Sequence, residues 1–225
     1  RIAERIDANL LDVTMEDLHD MPHQLYDGKI KKLREKTQGQ LIIKEYPTAS
    51  AHSGHFKSLI NELALKKSFR PDVIFIDYLN ICASSRFKGG NISSYFYVKA
   101  IAEELRGLAV EFNVPIFSAT QTTRTGYVST DIGLEDTSES FGLPATADFM
   151  FALISNEELE ALGQMKVKQL KNRYNDPSIN RAFIIGVDRA KMRLYDVQQK
   201  AGDIVDANQV DEKEDAYNKF SDFKL

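Results

Sequence analysis

Two short apolar runs, residues 73–76 and 116–119, flank an unbroken helical stripe, and this arrangement limits the fold more than anything else in the 225-residue sequence. Val98, Ile101, Ala102, Leu105, Leu108, Ala109 and Phe112 recur at three- and four-residue steps, the spacing of one apolar face on an α-helix. A continuous apolar run rich in β-branched residues fits a strand covered on both faces, as in a parallel sheet. Strand, helix, strand in that order is a βαβ crossover, right-handed in nearly all proteins. The expected fold class is α/β, with a mostly parallel central sheet flanked by helices.

The rest of the chain fits that frame. Thr14 with Asp17 is a capping signal for a helix that Pro22 interrupts. Residues 41–45 read as a short strand. Phe56, Leu59, Ile60 and Leu63 mark another helical face, which Pro71 closes. Strands are expected at residues 149–154, 166–170 and 183–187, with residues 192–197 added as a hairpin. Two polar stretches, 84–94 and 122–143, lie where open α/β sheets gather their ligands, beyond the carboxyl ends of strands. Ala3, Ile6, Leu10 and Leu11 follow a helical rhythm from the first residues, and residue 1 is arginine. The expectation is a truncated chain whose core is incomplete at its N-terminus.

Charge and cysteine usage narrow the class. The net charge is −4, and residues 203–225, with seven acids and three lysines, carry all of it. The remaining 202 residues balance, so any contact with a polyanion must be made locally, by a few loops. Residues 1–200 are expected to form one partial domain and residues 201–225 an acidic tail. That tail reads as a solvating end, or as a docking helix whose Tyr217, Phe220, Phe223 and Leu225 share one side. Cys82 is the only cysteine, which excludes an intrachain disulfide and a thiolate zinc cluster. It reads as a small core residue. No apolar stretch approaches bilayer length and no signal peptide opens the sequence, so no membrane partner and a cytoplasmic location are expected.

Three strand ends carry side chains suited to phosphate chemistry. Asp77 closes the run 73–76, and one rigid carboxylate beside a nucleotide suffices for Mg2+, which keeps several of its waters. A solvated aspartate closing a strand has the same signature. Gln121 follows the next strand and could sense a γ-phosphate or orient water, or simply satisfy its loop. Lys171 and Arg173 bracket Asn172 beyond the strand 166–170 and could reach a phosphate on a neighbouring subunit, or form an ordinary basic turn. The pairs His19/His23 and His52/His55 lack the zincin pattern, so capping or surface roles are expected. No Gly-x-x-x-x-Gly-Lys-Ser/Thr loop occurs; Gly126, Gly133, Gly142 and Gly163 all have the wrong neighbours.

Taken in order, strand-Asp77, long helix, strand-Gln121, long loop, strand-Lys171-Asn172-Arg173 resembles the second part of the RecA-like motor domain of DnaB-type replicative helicases. The likeness is nearer still to the T-even phage members, in Asn61-Glu-Leu-Ala-Leu-Lys-Lys-Ser-Phe69, Val98-Lys-Ala-Ile-Ala-Glu-Glu-Leu-Arg106 and Gly142-Leu-Pro-Ala-Thr-Ala-Asp-Phe149. The resemblance implies a homo-hexameric, ATP- and Mg2+-dependent motor that moves 5′ to 3′ on single-stranded DNA, with primase and a helicase loader as partners. It implies that Asp77 faces Mg2+ and that Gln121 couples phosphate state to DNA. Lys171 and Arg173 become trans-acting cations. The first DNA loop then carries Arg86 and Lys88, and the second carries Arg124, Ser138, Glu139 and Ser140. Ser138 and Phe141 depart from the family, which usually has Arg and Gly there; one phosphate-contacting cation is missing. The family's phosphate-binding loop and its catalytic glutamate precede the segment matched here.

Two other readings fit the residues: a RecA-like recombinase, and a RecA-fold module without a phosphate-binding loop that serves assembly or regulation. The Lys-x-Arg pair and the helical stripe favour the helicase over the recombinase. Retention of Asp77, Gln121 and Arg173 together speaks against a module freed from catalysis.

Overall fold

The computed structural model describes residues 1–87, 92–122, 133–134, 142–176, 179 and 181–197. It is a mixed α/β chain in two compact units. One comprises Arg1–Ile43, Leu153–Lys168 and Asn180–Leu225, the other Lys44–Ala152 and Gln169–Ile179.

The second unit contains the crossover. Strand β1 (Ile74–Ile76) and strand β2 (Ile116–Ser118) pair in parallel, with Ile74 opposite Ile116 and Ile76 opposite Ser118. Helix α5 (Ser94–Phe112) connects them and buries Val98, Ile101, Ala102, Leu105 and Leu108. Its stripe packs with Leu79 and Cys82, which follow β1, and with Leu143, while Phe56 of helix α4 (Ser53–Lys67) and Ile76 lie against the cluster. Ile101 is only 1% exposed, and each such aliphatic side chain contributes about 1.5–3 kcal/mol by leaving water. Cys82 is the core residue its setting suggested, and burial pushes its thiol up.

Burial on both faces of β1 does not hold. Strand period two sends Phe75 away from α5, where it stands 71% exposed and stacks on Phe117 at a centroid distance of 5.3 Å. Residues 41–45 form no strand: Leu41 and Ile43 are exposed, and among the described residues no ladder partner faces them.

The first unit begins with α1 (Ile2–Leu11), α2 (Met15–Asp20) and α3 (His23–Lys36). Thr14 caps α2 as its spacing promised, accepting from the Asp17 backbone N–H at 3.0 Å. Pro22 ends α2 and also opens α3, since its missing N–H costs nothing at a helix start. Tyr26 on α3 donates to Asp7 on α1 at 2.8 Å. The corner between α1 and α2 is tied to the turn at residues 189–192. Asp12, in the left-handed conformation, accepts from Lys191 and Arg193 at 3.2 and 3.0 Å, and Asn9 donates to the Met192 carbonyl at 2.7 Å.

That turn joins β5 (Ala182–Asp188) to β6 (Arg193–Asp196), the expected hairpin. With β3 (Phe149–Ile154) and β4 (Gln164–Asn172) they form a four-stranded sheet ordered β3-β4-β5-β6. Here the pairing differs from a mostly parallel sheet: β4–β5 and β5–β6 are both antiparallel. Nine residues link β4 to β5 and four link β5 to β6, whereas a parallel crossover needs about a dozen or more. Gly186 sits where a Cβ would lie 2.3 Å from the Tyr195 ring on β6, so a side chain at this strand position would force that half-exposed ring to move. Two further short helices lie among the described residues, α6 (Gly142–Thr146) and α7 (Glu157–Ala161).

Candidate functional site

Parallel pairing carries the chain ends of β1 and β2 to the same edge. Asp77 follows Ile76 directly, and Gln121 lies three residues beyond Ser118. The edge is laced together: Ser118 Oγ donates to the Ile76 carbonyl at 2.8 Å, and the Leu79 N–H donates to the Ala119 carbonyl at 3.2 Å. The Gln121 amide donates to the Tyr78 hydroxyl at 3.3 Å, so Gln121 is bound to the residue that follows Asp77. Asp77 itself is exposed, and among the described residues its carboxylate has no hydrogen-bond or ion-pair partner. Asn80 Oδ1 and Thr120 Oγ1, each beside one of these strand ends in sequence, are buried without a partner among the described residues.

No three His, Cys, Asp or Glu side chains converge into a metal cage among the described residues. A free strand-end carboxylate fits Mg2+ instead, because that ion keeps most of its shell as water and phosphate oxygen. The histidines cap. His52 Nδ1 accepts from the Gly54 N–H at 3.0 Å, and His55 Nδ1 accepts from the His52 N–H at 3.2 Å, closing a box at the start of α4.

The basic pair emerges at the end of β4. Lys171 and Asn172 are its last residues, and Arg173 follows. Neither cation points freely into water. Lys171 Nζ donates to the Pro144 carbonyl, Arg173 Nη2 to that of Ala145 at 2.8 Å, and Arg106 Nη1 of α5 to that of Thr146 at 2.6 Å. Three cations thus meet three successive carbonyls at the C-terminal end of α6, groups that no helical N–H satisfies. Asp148 completes the array: its Oδ1 accepts from Arg106 at 2.8 Å and from Arg173 at 3.1 Å. Partial burial pushes the Asp148 carboxyl up, but the two guanidiniums outweigh it and hold the group below its usual range. Burial and the positive charge of Arg173 lower Lys171.

A third constellation fixes the start of the polar stretch 84–94. Glu104 on α5 accepts from Ser53 Oγ at 2.8 Å, Ser84 Oγ at 2.6 Å, Ser85 Oγ at 2.7 Å and the Ser85 N–H at 3.0 Å. Burial raises its carboxyl; the bonds from Ser84, Ser85 and Ser53 prevail and bring it down to about 2. Arg86, expected to contact DNA, pairs with Glu103 and keeps half its side chain exposed.

Lys88, Arg124, Ser138, Glu139 and Ser140 lie outside the described residues, as does the tail 203–225. Sequence reasoning overlooked Tyr78, Arg106, Glu104 and Asp148 as site residues. Arg106 and Asp148 stand inside the segments that carried the family resemblance, but their pairing spans 42 positions and no local spacing announces it. Among the described residues no helix is long and apolar enough to cross a membrane.

No protein-family model matches the sequence. Among curated proteins it is 43% identical, over 96% of its length, to the DnaB-like replicative helicase of Enterobacteria phage T4, and it covers 47% of that protein. It is also 34% identical, over 129 residues, to a probable plasmid replicative DNA helicase of Chlamydia trachomatis. This match takes in 55% of the chain and 26% of that relative. The chain therefore spans about half the T4 relative and about a quarter of the chlamydial one. Among solved structures it resembles one described as an ATPase domain, with a TM-score of 0.69 and 16% identity over 87% of this chain and 69% of that one. A DnaB-like replicative helicase described with its interactions with primase gives 0.66 and 15%, over 87% of this chain and 47% of that one.

Proposed function

We propose that this chain, which belongs with the DnaB-like replicative helicases by sequence, is part of the motor of a ring-shaped, ATP-driven helicase that moves 5′ to 3′ on single-stranded DNA. Residues 1–200 are its partial RecA-like motor domain, and residues 201–225 an acidic appendage. The observation that carries the reading is the shared edge of β1 and β2, where a free Asp77 and the Tyr78-bound Gln121 stand at two adjacent parallel strand ends. Open sheets bind ligands outside such ends.

Bound Mg-ATP would supply the phosphoryl transfer that drives movement. Asp77 would hold the ion through water, and its lack of a protein partner leaves it available to do so. Gln121 would respond to the terminal phosphate, and its bond to Tyr78 would pass that response to the backbone beside Asp77. Lys171 and Arg173 would serve the site of a neighbouring subunit, where arginine's planar fork matches phosphoryl oxygens. Arg86 and Lys88 on the first loop, and Arg124, Ser138, Glu139 and Ser140 on the second, would meet the DNA strand. Six such subunits would enclose the strand. Primase and a loader are the expected protein partners, and the DnaB-like neighbour described with primase supports the first of these.

These 225 residues contain no Gly-x-x-x-x-Gly-Lys-Ser/Thr loop, so the row of backbone N–H groups and the lysine that cradle phosphates are not among them. The test compares the 225-residue chain with a longer protein that joins it to such a loop, each under saturating Mg-ATP and single-stranded DNA. Turnover should be negligible in the first and DNA-stimulated in the second, and Asp77→Asn should abolish the latter. Helicase-like turnover by the 225-residue chain alone, or full activity in the Asp77→Asn protein, would sink this reading.

A further inference from the structure

The array around Asp148 holds more positive charge than its own contacts use. Arg106, Lys171 and Arg173 bring three cations to one carboxylate, and the remaining contacts are to neutral carbonyls. Both guanidiniums are turned onto the same oxygen, Asp148 Oδ1, and both remain partly open to water, 40% exposed for Arg106 and 44% for Arg173. Asp148 is 33% exposed. A half-open cluster with two surplus positive charges and two forked donors converging on a single anionic oxygen has the features of an oxyanion receptor. In this structure a carboxylate fills the place of the oxyanion.

We propose that Arg106, Lys171 and Arg173 together receive a phosphoryl group, and that Asp148 is the built-in stand-in this group displaces. The inference rests on reading Lys171 and Arg173 as phosphate-facing cations, and it adds Arg106 as the third. It also gives Asp148 a positioning role. By holding Arg173 against α6 until a phosphate arrives, Asp148 keeps the two guanidiniums aimed at one point. A phosphate offers several strong acceptor oxygens where the carboxylate offers two, so both forks can transfer to it without losing their carbonyl contacts. The 42-residue separation of Arg106 and Asp148 means that α5, which also carries Glu104, is tied directly to the receiving site.

Inorganic pyrophosphate is the probe, titrated by calorimetry into the 225-residue chain at low ionic strength. Asp148→Asn keeps the shape and removes the competing charge, so it should tighten pyrophosphate binding at least about tenfold, the lower end for one charge-assisted hydrogen bond. Adding Arg106→Gln to that variant should reverse the gain, whereas Arg106→Lys should keep most of it. A thermal melt of Asp148→Asn that matches the parent separates this gain from one made by cations that partial unfolding sets free. Equal or weaker binding by Asp148→Asn, no effect of Arg106→Gln, or no binding by any variant would overturn the proposal. Tighter binding by Asp148→Asn, in a chain whose loop-joined form shows no DNA-stimulated hydrolysis, would retain this inference and remove the helicase reading. Hydrolysis without any pyrophosphate response would do the reverse.

Discussion

Gln121 and Tyr78 are hydrogen-bonded across 3.3 Å, although 43 positions separate them in the chain. The bond exists because parallel pairing of β1 and β2 brings both strand ends to one edge. It links the amide of Gln121 to the side chain of the residue that follows Asp77. Tyr78→Phe deletes only the hydroxyl. In the protein joined to a phosphate-binding loop, DNA stimulation of hydrolysis should fall about two- to tenfold, the range for one neutral hydrogen bond. Hydrolysis without DNA should stay near its starting rate. Steady-state ATPase assays with and without single-stranded DNA measure both, and an unchanged stimulation ratio would refute the coupling.

Arg173 should act on a neighbour's nucleotide. Arg173→Ala is expected to lower DNA-stimulated turnover by ~10³–10⁵ while nucleotide binding by a single subunit is retained. Asp77→Asn should be equally inactive by a different route. Mixed rings of the two variants contain some sites with an intact Asp77 and an intact neighbouring Arg173, so activity should reappear on mixing. If no ratio of the two restores hydrolysis, the trans arrangement is wrong.

Glu104 sets a pH dependence. Its folded value, about 2, lies below the ordinary 4.5, so the bonds from Ser84, Ser85 and Ser53 favour the folded state wherever the carboxylate is charged. The contribution is therefore complete above about pH 4.5 and is lost as pH falls toward 2. Glu104→Gln should cost ~1–2 kcal/mol near neutrality, allowing for partial exposure. Thermal melts of both proteins should differ by a constant amount from pH 7 to pH 5 and converge below pH 4. A gap that persists at pH 2 would show that the carboxylate charge is not the cause.

Ser68 ends α4 in the left-handed conformation, with φ of 51°. A Cβ is strained there and glycine is not, so Ser68→Gly should stabilise the chain by ~0.5–1 kcal/mol. Chemical denaturation should show a raised midpoint with an unchanged slope. A lowered midpoint would mean that the serine contributes more than its backbone geometry suggests.

Elements with a strong local period were readable from the sequence. The α5 stripe, the Thr14 cap, β3 and the β5–β6 hairpin all follow from spacing that a dozen residues contain. Helix α3 was not, because Pro22 marks an end and a beginning alike and residues 27–36 are mostly charged. Strand direction was not readable either: β4, β5 and β6 look alike as segments, and only the length of their links decides the pairing. In the candidate site, Asp77 and Gln121 were visible as strand ends. Asp148 and Arg106 were not, since a carboxylate in Ala-Thr-Ala-Asp and an arginine beside a leucine mean little until the fold brings them within 2.8 Å.

The corner between α1 and α2 meets its partners very late in the chain: Asp12 pairs with Lys191 and Arg193, which lie 179 and 181 residues further on. During synthesis at 5–20 residues per second, roughly 10–40 s pass between the emergence of these groups from the ribosome. Throughout that interval α1 and α2 lack the hairpin turn that anchors them, while α4, β1, α5 and β2 are all synthesised before it ends. Within these residues the α4–β2 segment can therefore pack before the α1–α2 corner gains its anchor, and Asn9 and Asp12 are the groups that a ribosome-associated chaperone would meet without their hairpin partners.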